Sequence, residues 1–271
     1  TYPYEILDGK TQTIKDIIEN KSDISKDILE SKKPIIIFGE SFLNSKSADY
    51  LFYSFKSFLS KNDKLSKNWN SLNVLSSDAS KVGSLDLDII NFEKNLIKDL
   101  KENKFEMIYL LGQDELKFEK KNEFIIYQGS HGDKGAEIAD IILPGSAYTE
   151  QSGYFTNLEG KIQKAYKASY PPGDAKEDWQ IINELAEVMN NRKLFNDKDE
   201  LESSMLNYLK FKKDKQKQIE TKKIKENEFE NENLKINVKN YYFSNVIARS
   251  SKTMLDCNNS KLDIKRTGTE G

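Results

Sequence analysis

His131 and Asp133 lie two residues apart in the polar stretch Gly129–Gly135, GSHGDKG. An imidazole and a carboxylate at this separation are the raw material of a general acid–base pair, provided they reach each other and a substrate. The glycines around them are spaced G-x-x-G-x-x-G and come after an internal apolar run. They therefore do not form the G-x-G-x-x-G fingerprint of a dinucleotide site. Further on, Glu150, Asn157, Glu159 and Lys161 sit in a glycine-punctuated polar strip. Their side chains are suited to fixing a loop through hydrogen bonds to backbone groups. Cys257 and His131 are the single cysteine and the single histidine. The chain alone therefore supplies neither a disulfide, nor a Cys/His zinc site, nor an iron–sulfur cluster. Cys257 is expected to serve as a small buried apolar residue.

The elements that must position these groups are legible as short apolar runs. Pro34–Gly39, Met107–Leu111, Phe124–Tyr127 and Ile141–Leu143 are each closed by Gly or Pro. Runs of this length predict strands buried on both faces, as in parallel sheets. Helical spacing fills the intervals. It runs over Thr13–Ser31 with a break near Lys21–Asp23, then from a cap at Asn44 or Ser45 through Leu59. It recurs over Leu72–Val82 and Ile89–Leu100. A later helix spans Asp174–Asn190, capped by Asp174, with Trp179, Ile182, Leu185, Ala186 and Met189 expected on its inner face. Strands separated by helices predict an α/β fold, a Rossmann-like and mostly parallel sheet flanked by helices, over residues 1–165. A closing helix is expected over 166–192 and a charged linker or solvated helix over 193–236. A C-terminal docking segment and tail fill 237–271, the tail disordered from Lys261. Leu234–Val238 alternates apolar and polar residues as an edge strand would.

Composition narrows the function. Of 271 residues 32% are charged, yet the net charge is only −2, which leaves no basic footprint for nucleic acid. The apolar runs are far shorter than the roughly 20 residues of a membrane-spanning helix, so membrane association is expected to come through a partner. The sheet's C-terminal edge is where open α/β sheets bind ligands, which directs attention to the loops after Tyr127 and Leu143.

The stretch ADIILPGSAYTEQSGYFTNLEGKIQ resembles the signature of the molybdopterin oxidoreductase superfamily. With YQGSHGDKG before it and PPGDAKEDWQII at Pro171–Ile182 after it, the resemblance narrows to the large iron–sulfur subunits of respiratory complex I, NADH:quinone oxidoreductase. Trp69–Asp88 and Tyr241–Cys257 resemble the same family, and so does the lead-in Tyr2–Leu7. The resemblance implies a fragment, or one half of a split gene, since Thr1 opens midway through the family's C-terminal region. It also implies that no cofactor belongs to this portion. The family's 2Fe–2S and 4Fe–4S clusters lie in the N-terminal part, whereas His131, Asp133, Glu150, Asn157, Glu159 and Lys161 would line a vestigial pterin pocket. Lys161 stands where the signature has arginine, keeping the charge but losing the bidentate fork that suits phosphate.

The partners so implied are other peripheral-arm subunits and the cluster-binding part of the same subunit. Tyr241, Tyr242, Arg249 and Met254 are candidate contacts. The setting would be peripheral, on the cytoplasmic side of the bacterial inner membrane or the mitochondrial matrix side. A fragment of an active molybdopterin-dependent oxidoreductase is the alternative. It needs a pterin-binding domain downstream, and the sequence after Asn190 is too polar and Lys-rich for one. An independent ligand-binding α/β module is a third, but GESFLNS at Gly39–Ser45, after the first strand, carries a single glycine and forms no phosphate cradle.

Overall fold

The computed structural model describes residues 4–66, 68–89, 96–113, 115–116, 118–132, 134–215, 228–235 and 240–266. The chain divides into two compact units. The first holds α1 (Thr11–Ile18), α2 (Asp23–Glu30), β1 (Ile36–Gly39), α3 (Ala48–Lys61) and β2 (Leu72–Leu75), and α4 (Lys81–Asp86) begins at its end. β1 and β2 pair in parallel with Ile36 opposite Leu72 and Phe38 opposite Val74. Period-2 alternation turns Phe38 and Leu72 toward a core built by Ile17 of α1 and Leu51, Phe55, Phe58 and Leu59 of α3. Phe38 stacks on Phe42 with ring centroids 4.3 Å apart.

Three expectations change in this unit. Leu72–Leu75 is a strand, not the opening of a helix; the spacing of Leu72 and Leu75 mimics helical periodicity, but pairing with β1 buries Leu72 and leaves Leu75 exposed. α3 starts at Ala48, because Glu40–Asn44 forms a 3-10 turn first and leaves Ser45 before the helix rather than at its cap. Ser47, next to Ala48, makes no cap bond either. Its buried hydroxyl accepts from Glu230 N (2.8 Å) and donates to Glu230 O (2.9 Å). Residues 228–235 thus lie along this unit, with Phe229 packed on Tyr50. Of the expected strand Leu234–Val238, Leu234 and Lys235 are not in a strand and 236–238 lie outside the described residues.

The second unit adds α5 (Leu96–Lys101), β3 (Met107–Leu111), β4 (Phe124–Gly129), α6 (Lys134–Ile138), β5 (Ile141–Pro144), β6 (Gly153–Thr156) and β7 (Ile162–Ala165). After these come α7 (Asp178–Asn190), α8 (Lys198–Lys215), α9 (Val246–Ser250) and α10 (Lys252–Arg266). β3, β4 and β5 form a parallel sheet in that order. The parallel strands and flanking helices agree with the expected α/β class, sorted into a two-stranded and a three-stranded sheet. Burial on both faces does not hold. Ile125 and Tyr127 of the central strand are enclosed, but Met107, Phe124, Ile141 and Ile142 remain substantially exposed, because β3 and β5 are edges and one face carries little cover.

β6 and β7 make an antiparallel hairpin where the sequence suggested only a shaped loop. α7 begins at Asp178, four residues later than expected. Its cap is Glu177, which exchanges bonds with Gln180 in a capping box. Its buried positions are Ile181 and Asn183, while Ile182 and Met189 face outward, because Asn183 turns inward to hold the chain at Leu194 and Phe195. The segment from Lys261 continues α10 to Arg266, as no Gly or Pro interrupts it. Cys257 on that helix is exposed rather than buried. Among the described residues no helix is long and apolar enough to cross a membrane.

Candidate functional site

The C-terminal edge of the three-stranded sheet, where a ligand is expected, is held by a polar network. Gln128 ends β4 fully buried. Its amide donates to Asp178 Oδ1 (2.8 Å) and to Asp178 O (3.3 Å), and its carbonyl accepts from the Tyr109 hydroxyl. Gln151 donates to Asp178 Oδ2 (2.9 Å) and accepts from Asp178 N (3.3 Å). Each of Asp178's carboxylate oxygens therefore has an amide donor. Burial, and then the Asp178 charge, pushes the Tyr109 phenol above its usual value.

One residue earlier, Glu177 is nearly buried and pairs with Lys198 at the start of α8, Lys167 (3.3 Å) and the Trp179 indole N–H (3.2 Å). Burial alone would raise its carboxyl, but the ion pair with Lys198 and the bonds from Lys167 and Trp179 outweigh it and hold the group below the usual range. Lys198 also donates to Ser152 O (2.8 Å), so the clamp joins α7, α8 and the approach to β6. A cleft of about 390 Å³ opens beside it, lined by Tyr148, Tyr154, Phe155, Trp179, Leu201 and Met205 among others.

The residues singled out in the sequence are not gathered in this network. His131 is half-buried after β4; its Nδ1 lies 2.9 Å from Ser130 Oγ, and its backbone carbonyl accepts from the Tyr127 hydroxyl (2.9 Å). Asp133 lies outside the described residues. Glu150 closes its own turn, accepting from Ala147 N (2.9 Å). Asn157, Glu159 and Lys161 are on the loop joining β6 and β7, the last two exposed. Gly129 and Gly135 of GSHGDKG serve packing, whereas Gly132 has open space around it. A Cβ on Gly135 would come within 2.6 Å of Gln113 O and 2.8 Å of the Tyr127 ring, so its absence seats α6 against β4. Among the described residues no group of three or more His, Cys, Asp or Glu side chains is placed to hold a metal.

The C-terminal candidates lie on three successive elements. Tyr241 is exposed and meets Tyr242 edge to face at 5.7 Å, in a 3-10 turn capped by Asn240. Arg249 on α9 pairs with Glu115 at 3.0 Å, and Met254 is half-buried on α10. What sequence reasoning missed are Gln128, Gln151, Glu177, Asp178 and Lys198. One signal was available for the first: a glutamine ending an apolar strand has to find partners if it is buried.

Comparison with known proteins places this geometry. Residues 1–188 match the family model of molybdopterin oxidoreductase, and residues 200–257 match that of the C-terminal region of the G subunit of NADH-ubiquinone oxidoreductase. The chain is 38% identical over 267 residues to the NADH-ubiquinone oxidoreductase 75 kDa subunit of Reclinomonas americana, covering 95% of this chain and 38% of the relative. It is 39% identical over 244 residues to the mitochondrial NADH-ubiquinone oxidoreductase 78 kDa subunit of Candida albicans (83% of this chain, 33% of the relative). It is 37% identical over 241 residues to the G subunit of NADH-quinone oxidoreductase from Rickettsia bellii (87% and 34%). The chain thus spans between 33% and 38% of the length of these relatives.

Proposed function

Because this chain belongs to the molybdopterin oxidoreductase family, we propose that it is the structural C-terminal portion of the large iron–sulfur subunit of a complex I, without a redox centre of its own. It would act by packing against the cluster-binding part of that subunit and against neighbouring peripheral-arm subunits. The location would be peripheral, on the cytoplasmic face of the bacterial inner membrane or the matrix face of the mitochondrial one. Tyr241, Tyr242, Arg249 and Met254 would contribute contacts to those neighbours. The observation that carries this reading is the match of residues 200–257 to the C-terminal region of the complex I G subunit, which lies beyond the part matched by the wider family model.

The chemistry of the residues supports the same assignment. One exposed cysteine does not fit an iron–sulfur cluster held by four thiolates. A pterin dinucleotide carries a pyrophosphate, and the sheet edge that would receive it fits it poorly. There Gln128, Gln151 and Tyr109 are spent on one another and on Asp178, whose carboxylate would repel an anion. His131, Glu150, Asn157, Glu159 and Lys161 are then remnants of a pocket region, and the bonds of His131 and Glu150 serve their own loops.

Quantifying iron, molybdenum and extractable fluorescent pterin on the purified chain tests this directly. None of the three in stoichiometric amount is the expected result. Molybdenum or pterin near one per chain would overturn it in favour of an active molybdopterin-dependent oxidoreductase.

A further inference from the structure

Residues 228–235 belong to the first unit, although they follow α8 in sequence. From Phe229 onward they carry no helix or strand beyond one isolated antiparallel bridge, Lys10 with Asn233. What holds this extended stretch is a pair of hydroxyls. Thr11, at the start of α1, and Ser47, just before α3, are both fully buried. Ser47 Oγ accepts from Glu230 N (2.8 Å) and donates to Glu230 O (2.9 Å). Thr11 Oγ1 accepts from Glu232 N (2.9 Å) and donates to Glu230 O (2.9 Å), while Thr11 N donates to Glu232 O (3.0 Å). Leu234 N completes the row on Gly9 O (2.8 Å). A hydroxyl both donates and accepts, so each of these two serves a peptide N–H and a peptide carbonyl at once.

Side chains add a register to this main-chain recognition. The Phe229 ring lies 5.4 Å from that of Tyr50, centroid to centroid, and the Lys15 ammonium sits 4.5 Å from its centre. Leu234 packs on the core of the same unit. Between these two anchors the acidic residues meet Lys46, whose Nζ pairs with Glu230 at 2.6 Å and whose backbone N–H donates to Glu232 at 2.7 Å. Main-chain bonds for affinity, with chosen side chains for specificity, are how extended peptides are bound. The groove itself stands on α1 and α3, which are fixed in the core by Ile17 and by Leu51, Phe55, Phe58 and Leu59. The stretch it holds is anchored by two apolar side chains that are only half-buried, and residues 228, 230, 231, 233 and 235 face water. Segments covered this thinly open before the core does. We propose that the first unit carries a peptide-docking groove, and that residues 228–235 fill it as a tethered ligand able to leave without unfolding the unit. Vacated, the groove accepts an extended peptide of the same pattern, with an aromatic residue and a leucine placed as Phe229 and Leu234 are and acidic residues placed as Glu230 and Glu232 are. Every contact of the groove lies within one unit, and none depends on the complex I reading.

Two measurements on the full chain test this. The first is amide hydrogen exchange of the wild type in rising, sub-denaturing urea. Glu230, Glu232 and Leu234 are expected to exchange through a local opening that does not respond to urea, while Leu51 and Leu59 of α3 exchange through a urea-dependent one. Equal urea dependence at both sets would make the stretch inseparable from the core and overturns the proposal. The second is fluorescence anisotropy with a fluorescein-labelled synthetic peptide of residues 228–235. A tethered ligand competes at an effective concentration on the order of millimolar. The peptide is therefore expected to bind the Phe229→Asp, Leu234→Asp chain at least tenfold more tightly than wild type. Adding Thr11→Val and Ser47→Ala to that chain should weaken binding at least tenfold again. No binding to the Phe229→Asp, Leu234→Asp chain, or equal binding of a scrambled peptide, overturns the groove. Should that doubly substituted chain fail to fold, the exchange pattern of the wild type decides alone.

Discussion

Gln128 and Asp178, 50 residues apart in sequence, are joined by a 2.8 Å hydrogen bond that fastens the end of β4 to the first turn of α7. Gln128 is fully buried and bonds Asp178 and Tyr109 at once, so its removal leaves both partners unsatisfied in a dry site. Gln128→Leu is expected to cost about 2–3 kcal/mol, the scale of stranding buried polar groups, one of them charged. Urea unfolding monitored by tryptophan fluorescence measures it, and Trp179 sits one residue from Asp178. A loss under about 0.5 kcal/mol would mean that the bond is not formed in solution.

The Glu177–Lys198 clamp predicts a pH dependence whose sign follows from the direction of the shift. Glu177 is held below its ordinary value on folding. Its unfolded value is about 4.3. The stability it contributes is therefore fully present above that pH and drains away as pH falls through the lower, folded value. Glu177→Gln should destabilise by roughly 2 kcal/mol near neutral pH. The difference from wild type should shrink as the medium is acidified below about pH 4, where the wild-type carboxyl also loses its charge. Urea midpoints for both proteins across this range read it. A gap constant with pH would place the effect in the capping bonds alone.

Much of this architecture was legible because it is local. Met107–Leu111 and Phe124–Gly129 announce themselves by apolar runs closed at glycine, and the break near Lys21–Asp23 separates α1 from α2 as expected. What escaped depends on distant partners. Leu72–Leu75 is a strand because β1 lies beside it, and four residues cannot express that pairing in their own spacing. The β6–β7 hairpin escaped because its residues alternate weakly and its turn contains Asn157–Gly160 rather than a two-residue signature. The candidate site drifted for a similar reason. His131 drew attention as the one histidine, whereas the groups that hold the sheet edge, Gln128 with Asp178 and Glu177 with Lys198, are ordinary residue types that become informative only when brought together.

The GSHGDKG glycines separate packing from ligand binding. A Cβ at Gly135 would meet Gln113 O at 2.6 Å, while one at Gly132 has open space around it. Gly135→Ala is expected to cost about 1–3 kcal/mol by overpacking, whereas Gly132→Ala should stay within about 0.5 kcal/mol of wild type. Thermal melting of the two variants decides between roles. A phosphate cradle would instead make Gly132→Ala lose ligand with no change in melting.

Asn183 is the most specific of the buried polar residues on α7. Its Nδ2 donates to Phe195 O at 2.8 Å, and its Oδ1 accepts from Leu194 N (2.8 Å) and Phe195 N (3.0 Å). One amide thereby satisfies three backbone groups just before α8, and it does so using both its donor and its acceptor ends. Asn183→Ala removes all three bonds and is expected to cost about 2 kcal/mol. Asn183→Asp keeps the acceptor for the two N–H groups but turns an oxygen toward Phe195 O, so it should restore only part of the loss. Amide hydrogen exchange distinguishes the variants site by site. Protection at Leu194 and Phe195 should vanish in Asn183→Ala and persist in Asn183→Asp. If both variants lose protection alike, shape at position 183 matters more than hydrogen bonding, and the path from α7 into α8 is held by packing.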